Sequence, residues 1–167
     1  VTPVTEEVVV TITEHGGNAK DDGTEKTVTG YDVTNISNPL YTANDFTFSG
    51  DATIKGMDAG SYDMELTAAD FQNTNANFPK VIFVIVDGTL KISKRNVALT
   101  SATDDKVYDG TALTNGTVTV TGDGFAEGEG ASYNVTGSQT NVGWSDNSFT
   151  YELNANTKAD NYEIKTE

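Results

Sequence analysis

Apolar residues fall along this chain in short runs of period two, and the pattern nowhere settles into the three-and-four spacing of an amphipathic helix. The most strongly marked run lies in residues 80–92, KVIFVIVDGTLKI. Val81, Ile82, Phe83, Val84, Ile85 and Val86 form an uninterrupted β-branched and aromatic segment, too short for a bilayer and short for a helix. The pattern predicts a strand buried on both faces. Asp87-Gly88 then reads as a tight hairpin turn with φ > 0, followed by a strand whose Leu90 and Ile92 face a core while Thr89 and Lys91 face water. Pro79, Lys80 and Asp87 flank the apolar run as gatekeepers against cross-β association.

Further strands are expected from Val8, Val10 and Ile12 alternating with Val9, Thr11 and Thr13, from residues 28–34, from residues 46–54 and from residues 61–66. Between them stand turn signals: Gly16-Gly17-Asn18, Asp22-Gly23-Thr24, Asn38-Pro39 and Asp58-Ala59-Gly60. Residues 68–71 have weak helical character, enough for a single turn.

The second half repeats the first. At a constant offset of 87, Val10, Ile12 and Thr13 match Val97, Leu99 and Thr100, and Asp22-Gly23-Thr24 matches Asp109-Gly110-Thr111. The same offset pairs Thr27 with Thr114, Val33-Thr34 with Val120-Thr121, and Phe46, Phe48 and Gly50 with Tyr133, Val135 and Gly137. After a small deletion, Asp58-Ala59-Gly60 aligns with Asn141-Val142-Gly143 and Asn77-Phe78 with Asn161-Tyr162. Two domains follow, residues 1–95 and 96–167, with the boundary just beyond the apolar run. The frame puts the second copy of that run at about residue 165 onward, so the second domain is expected to lack most of its closing hairpin and to present an open edge.

Composition fits this picture. Gly, Thr, Asn, Asp and Val dominate, and the expected class is all-β: two tandem antiparallel β-sandwich domains of Ig-like or Greek-key kind, with β-grasp-like units carrying one short helix as the alternative. Ten Lys plus Arg against 25 Asp plus Glu give a net charge of −15, which repels nucleic-acid phosphates and anionic lipid. Neither nucleic acid nor membrane insertion is expected. There is no cysteine, so disulfides, thiolate nucleophiles and Cys-type zinc sites are excluded.

With the strands placed, the motifs carry a family likeness. Residues 107–111 (VYDGT), 140–143 (TNVG) and 159–164 (ADNYEI) resemble the YDG and MBG type repeats of large bacterial surface proteins and adhesins. Residues 27–32, 45–50, 58–60, 75–78 and Asp87-Gly88 are similar to related tandem repeats of Firmicute cell-surface proteins. The resemblance implies an extracellular, cell-surface or secreted location and a non-catalytic spacer role that presents other domains away from the cell wall. The implied partners are neighbouring repeats of the same chain. An adhesin module binding host protein or glycan, or an accessory domain of a secreted polysaccharide-active enzyme, is the alternative.

Candidate chemistry is sparse. No catalytic, cofactor-binding or metal site is assigned. Calcium is the one cation weighed, because Asp21-Asp22, Asp104-Asp105 with Asp109, and Asp123 with Glu127 and Glu129 offer oxygen donors; none has an EF-hand spacing, and solvated turns are the simpler reading. The sole histidine, His15, sits beside two glycines as a solvent-facing loop residue rather than a general base, and the chain is not expected to be an enzyme. Trp144, Phe149, Tyr151, Tyr31 and Tyr41 are candidates for a sugar-stacking platform, with core packing as the competing reading; for Trp144, just after a glycine turn, core and edge both stay open.

Overall fold

A computed structural model describes all 167 residues. The chain is all-β, with three single 3-10 turns as its helix, and it divides into two compact units. The first comprises Val1–Ala19 and Glu25–Ile92; the second comprises Lys20–Thr24 and Ser93–Glu167.

Ten strands account for the first part of the chain: β1 (Val8–Glu14), β2 (Gly17–Lys20), β3 (Lys26–Thr29), β4 (Tyr31–Ile36), β5 (Phe46–Phe48), β6 (Thr53–Gly56), β7 (Gly60–Asp63), β8 (Phe71–Asn73), β9 (Val81–Val86) and β10 (Thr89–Ser93). They form sheets ordered β4-β1-β9 and β2-β10-β7 and the two-stranded pairs β3-β6 and β5-β8. The alternation read in β1 holds throughout: Val8, Val10, Ile12 and Glu14 are buried, and the residues between them are half-buried. Val8, Val10 and Ile12 join Tyr41, Phe46, Ile54, Met64, Leu66, Phe71, Phe78, Leu90 and Ile92 in one core. At about 1.5–3 kcal/mol for each large apolar side chain fully buried, this cluster is the dominant source of the unit's stability. Phe71 stands at its centre, with ring contacts to Tyr31, Phe46, Phe48 and Phe83.

Residues 80–92 differ from the sequence reading in two ways. First, β9 and β10 do not form a hairpin. β9 runs parallel to β1, with Val8 opposite Val81 and Thr13 opposite Val86, whereas β10 runs antiparallel to β7 in another sheet. Neither Asp87 nor Gly88 takes a positive φ. They carry the chain across, and the Gly88 N–H donates to the buried Glu14 carboxylate at 2.8 Å. That charge-assisted bond, 74 residues away in sequence, overrides the local turn preference of Asp-Gly. Second, β9 is only half-buried, and on one face. It is an edge strand, and Ile82, Val84 and Val86 are 41, 43 and 46% exposed. The central sheet of each unit therefore contains a parallel pair where antiparallel pairing was expected. Leu90 and Ile92, by contrast, are buried as read.

Two long strand readings are interrupted. Residues 28–34 break at Gly30, whose φ of 95° ends β3 and whose place an L side chain could take only with strain. Residues 46–54 divide between β5 and β6. The helical turn expected at 68–71 is a 3-10 turn, Ala68–Asp70.

The second unit contains β11 (Arg95–Ser101), β12 (Val118–Gly122), β13 (Ala131–Val135), β14 (Phe149–Leu153) and β15 (Tyr162–Thr166). Its main sheet, β12-β11-β15, reproduces β4-β1-β9: an antiparallel partner on one side of the central strand and a parallel one on the other. Arg95, 87 residues after Val8, lies opposite Tyr162 as Val8 lies opposite Val81. The counterpart of β9 is thus β15, which starts at 162; the frame that placed it at about 165 missed the three residues Phe78, Pro79 and Lys80 by which the first unit is longer here. No strand of the second unit takes the place of β10. The core is correspondingly small, with Val97, Leu99 and Tyr162 buried and Val118, Phe125, Tyr133, Phe149, Tyr151 and Ile164 packed around them.

Candidate functional site

The acidic residues are mostly tied into turns. Asp22 accepts the Thr24 N–H at 2.9 Å, the expected Asp-Gly-Thr turn, and Asp109 accepts both the N–H and the hydroxyl of Thr111. Lys106 lies 2.9 Å from Asp109, and its ammonium, with the Thr111 groups, holds that carboxyl well below the usual range. Asp104 accepts from the Asp105 N–H and from Asn115, while Asp123 accepts from Lys20 and from the Asn96 N–H, which lower its pKa in that order. Glu129 accepts the Tyr162 hydroxyl at 2.6 Å. No three carboxylates converge as a cation site would require.

Asp21 is the exception to this solvated pattern. It lies in the second unit, its backbone carbonyl receiving the Arg95 guanidinium at 2.9 Å, and its side chain is fully buried without a hydrogen bond to either carboxylate oxygen. Burial pushes its carboxyl up; the Gly23 N–H, near it though outside hydrogen-bond geometry, pulls partly the other way, as does Arg95, while Glu129 adds to the push.

His15 faces solvent, yet both ring nitrogens are engaged: Nδ1 is 2.8 Å from the Thr29 carbonyl and Nε2 is 3.1 Å from Asp32. The carbonyl, followed by Asp32, raises its pKa above 6.5. The ring lies against Gly30, so the histidine acts as a clasp over the β3–β4 break.

The aromatic residues weighed as a stacking platform do not share a surface. Tyr41 is buried, its hydroxyl 3.0 Å from both the Asp45 carbonyl and Asn73 Oδ1. Tyr31 packs edge-on against Phe48, and Phe149 and Tyr151 lie against the second core. Trp144 alone is open, at 86% exposure. Tyr108 is exposed as well, as are Val107 and Val142.

The second unit contains a cleft of about 550 Å³ lined by residues 100–104, 113–115, 137–139 and 145–149 and by Thr166 and Glu167. Its lining is mostly Ser, Thr, Asn, Gln and Asp, without a histidine, cysteine or arginine. Such a surface offers hydrogen bonds, with the carboxyl groups of Asp104, Asp146 and Glu167 as its ionisable side chains.

Two structural groups escaped the sequence reading. Glu14 is buried and accepts the N–H groups of Leu66 and Gly88, so one carboxylate ties β1 to two later segments of the chain. Its sequence signal was visible, since Glu14 continues the inward face of Val8, Val10 and Ile12. The other is Thr-Ala-x-Asp-Phe, which occurs at residues 42–46 and again at 67–71. In each copy the aspartate accepts the threonine N–H at 2.7 Å, closing a 3-10 turn, and the phenylalanine enters the strand pair β5-β8.

These features define a β-rich repeat module with turn chemistry at fixed places. A family model described as the MBG domain matches residues 7–94, more than half of the chain, and the chain belongs to that family. No curated protein and no solved structure gives a significant match.

Proposed function

We propose that this chain is a non-catalytic structural repeat of an extracellular bacterial surface protein, serving as a spacer that presents other domains away from the cell wall. The observation that carries the reading is architectural: the same parallel-centred sheet is built twice from residues at a constant offset, β4-β1-β9 and then β12-β11-β15, in a chain of the MBG family. Repetition of a small self-contained unit is how extended arrays gain length, each unit depending on its neighbours alone. Most of the acidic groups considered as donors sit in turns and the histidine is a clasp, both of which suit a scaffold. Absence of cysteine suits a surface protein stabilised by its sheets.

One observation favours the adhesin alternative. Trp144 and Val142 are almost fully exposed on one segment, and an open indole is a familiar anchor for protein or glycan. Glycan-array and matrix-protein screens on the full chain separate the two. The spacer reading expects no saturable binding. A saturable signal lost in Trp144→Ala replaces it with the adhesin reading.

A further inference from the structure

The sheet β4-β1-β9 has an edge on either side, and the two are built differently. β4 carries Asp32, and its register with β1 shifts between Thr11 and Ile12 as at a bulge; both features discourage a further strand. β9 has neither. The Val8 N–H donates to the Lys80 carbonyl at 2.8 Å, so in this parallel ladder the amide groups of Ile82, Val84 and Val86 serve β1. Those of Val81, Phe83 and Ile85 point away from it, and no other segment of the chain bonds them.

Side chains set β9 apart as well. Ile82, Val84 and Val86 form an exposed outward row beside the half-buried Val9, Thr11 and Thr13 of β1, a face without a charge on either strand. The fold does not require this. In β15, which stands to β11 as β9 stands to β1, the places of Ile82 and Val84 are taken by the exposed Glu163 and Lys165. A strand whose free backbone edge and bare apolar row coincide is a template for pairing.

We infer that β9 is a pairing edge whose partner is β9 of a second copy of this chain, the two strands running antiparallel about a two-fold axis normal to the sheet. Charge selects that partner and that direction. Lys80 precedes the strand and Asp87 follows it, so antiparallel pairing sets the cationic end of one copy beside the anionic end of the other at both ends. The run is also self-complementary. With Phe83 opposite Phe83, the free amide groups of Val81 and Ile85 meet each other, and on the outer face Ile82 stands opposite Val84. The product is a continuous sheet ordered β4-β1-β9-β9-β1-β4, in which each copy spends its pairing edge once. A net charge of −15 on each copy opposes association and keeps it weak.

Sedimentation equilibrium of the full chain tests this. The expected result is a monomer–dimer equilibrium with a dissociation constant on the order of 10–100 µM. The amides of Val81, Phe83 and Ile85 should exchange more slowly as the concentration rises through that range. Ile82→Lys/Val84→Lys sets like charges opposite each other across the pair and should weaken it at least ~10-fold. Both side chains are exposed and β15 already holds a lysine at the second place, so the variant should keep the dispersed amide spectrum of the parent. Ile82→Glu/Val84→Lys sets opposite charges at the same places and should associate at least ~5-fold more tightly than the double-lysine variant. A chain that stays monomeric at about 1 mM overturns the inference. So does a dimer that the double-lysine variant leaves intact, equal weakness of the two variants, or protection that appears outside β9 alone. Growth into larger oligomers without a dimer plateau also overturns it, by making the edge an open-ended aggregation site.

Discussion

The two units place isoleucine or leucine at the same point of the same central strand, yet surround it differently. Ile12 sits in a core of twelve buried apolar side chains, while Leu99, 87 residues later, shares its core with Val97 and Tyr162. Both residues are fully buried. Much of the difference traces to one element. β10 brings Leu90 and Ile92 inward and, by pairing with β2 and β7, turns two flanking segments into strands; the corresponding segments of the second unit stay irregular. A single central strand thus organises far more structure than its own five residues.

The largest expected effect tests that contrast at matched positions. Ile12→Ala should destabilise the first unit by about 3–4 kcal/mol and leave it folded, whereas a similar loss from Leu99→Ala should unfold the smaller second unit at room temperature. Two-dimensional amide spectra of each variant, counting dispersed resonances from each unit, check this. Retention of the second unit's dispersion in Leu99→Ala would show that its core is stronger than its size suggests.

Next comes the carboxylate that has no equivalent across the repeat. Glu14→Ala strands two N–H groups, those of Leu66 and Gly88, and should cost about 2–4 kcal/mol in urea unfolding, while Ser101→Ala should stay within about 0.5 kcal/mol. Equal effects would remove Glu14 as the tie between β1 and the β9–β10 connection.

The second unit has its own polar anchor. The Tyr162 hydroxyl donates to Glu129 and accepts from the Ala126 N–H at 2.9 Å, and Tyr162→Phe should lose about 1–2 kcal/mol. Burial, reinforced by Glu129, pushes this phenol up to about 12. Because the folded pKa is raised above the unfolded value of 10, the contribution is complete below pH 10 and is lost as pH rises toward 12. Alkaline denaturation followed at 295 nm reads this, and Tyr162→Phe should flatten the part assigned to the second unit.

The smallest effect has the opposite sign. Asp21 is an acid whose pKa is raised by burial, so folding is penalised once pH exceeds its unfolded value of 3.8. Asp21→Asn should therefore stabilise the second unit by about 1 kcal/mol at pH 7 and lose that advantage below about pH 4. Thermal melts at the two pH values decide it; destabilisation at both would mean that the carboxylate has a partner worth more than its burial costs.

What could be read from the sequence was local or periodic. The alternation of Val8, Val10 and Ile12, the burial of Leu90 and Ile92, and the repeat offset all follow from side-chain spacing. So does the turn at Gly110, whose φ is 82°. Long-range pairing was not legible. Nothing in residues 81–86 says that their partner is β1, running parallel, and the Asp-Gly that promised a hairpin answers instead to Glu14. The acidic clusters were visible as composition, but only coordinates show that Asp109 serves a turn while Asp21 is buried without a hydrogen bond. Trp144 follows the Gly143 turn, a place that left core and edge both open, and it stands exposed.

Within these residues the two units differ by one seated strand, β10. Amide hydrogen exchange on the full chain tests it most directly, because β2, β7 and β10 and residues 102–107 and 143–146 are read in one experiment. The account predicts slow exchange in β2, β7 and β10 and exchange close to that of an unstructured peptide in residues 102–107 and 143–146. Matching protection in the two sets would contradict it.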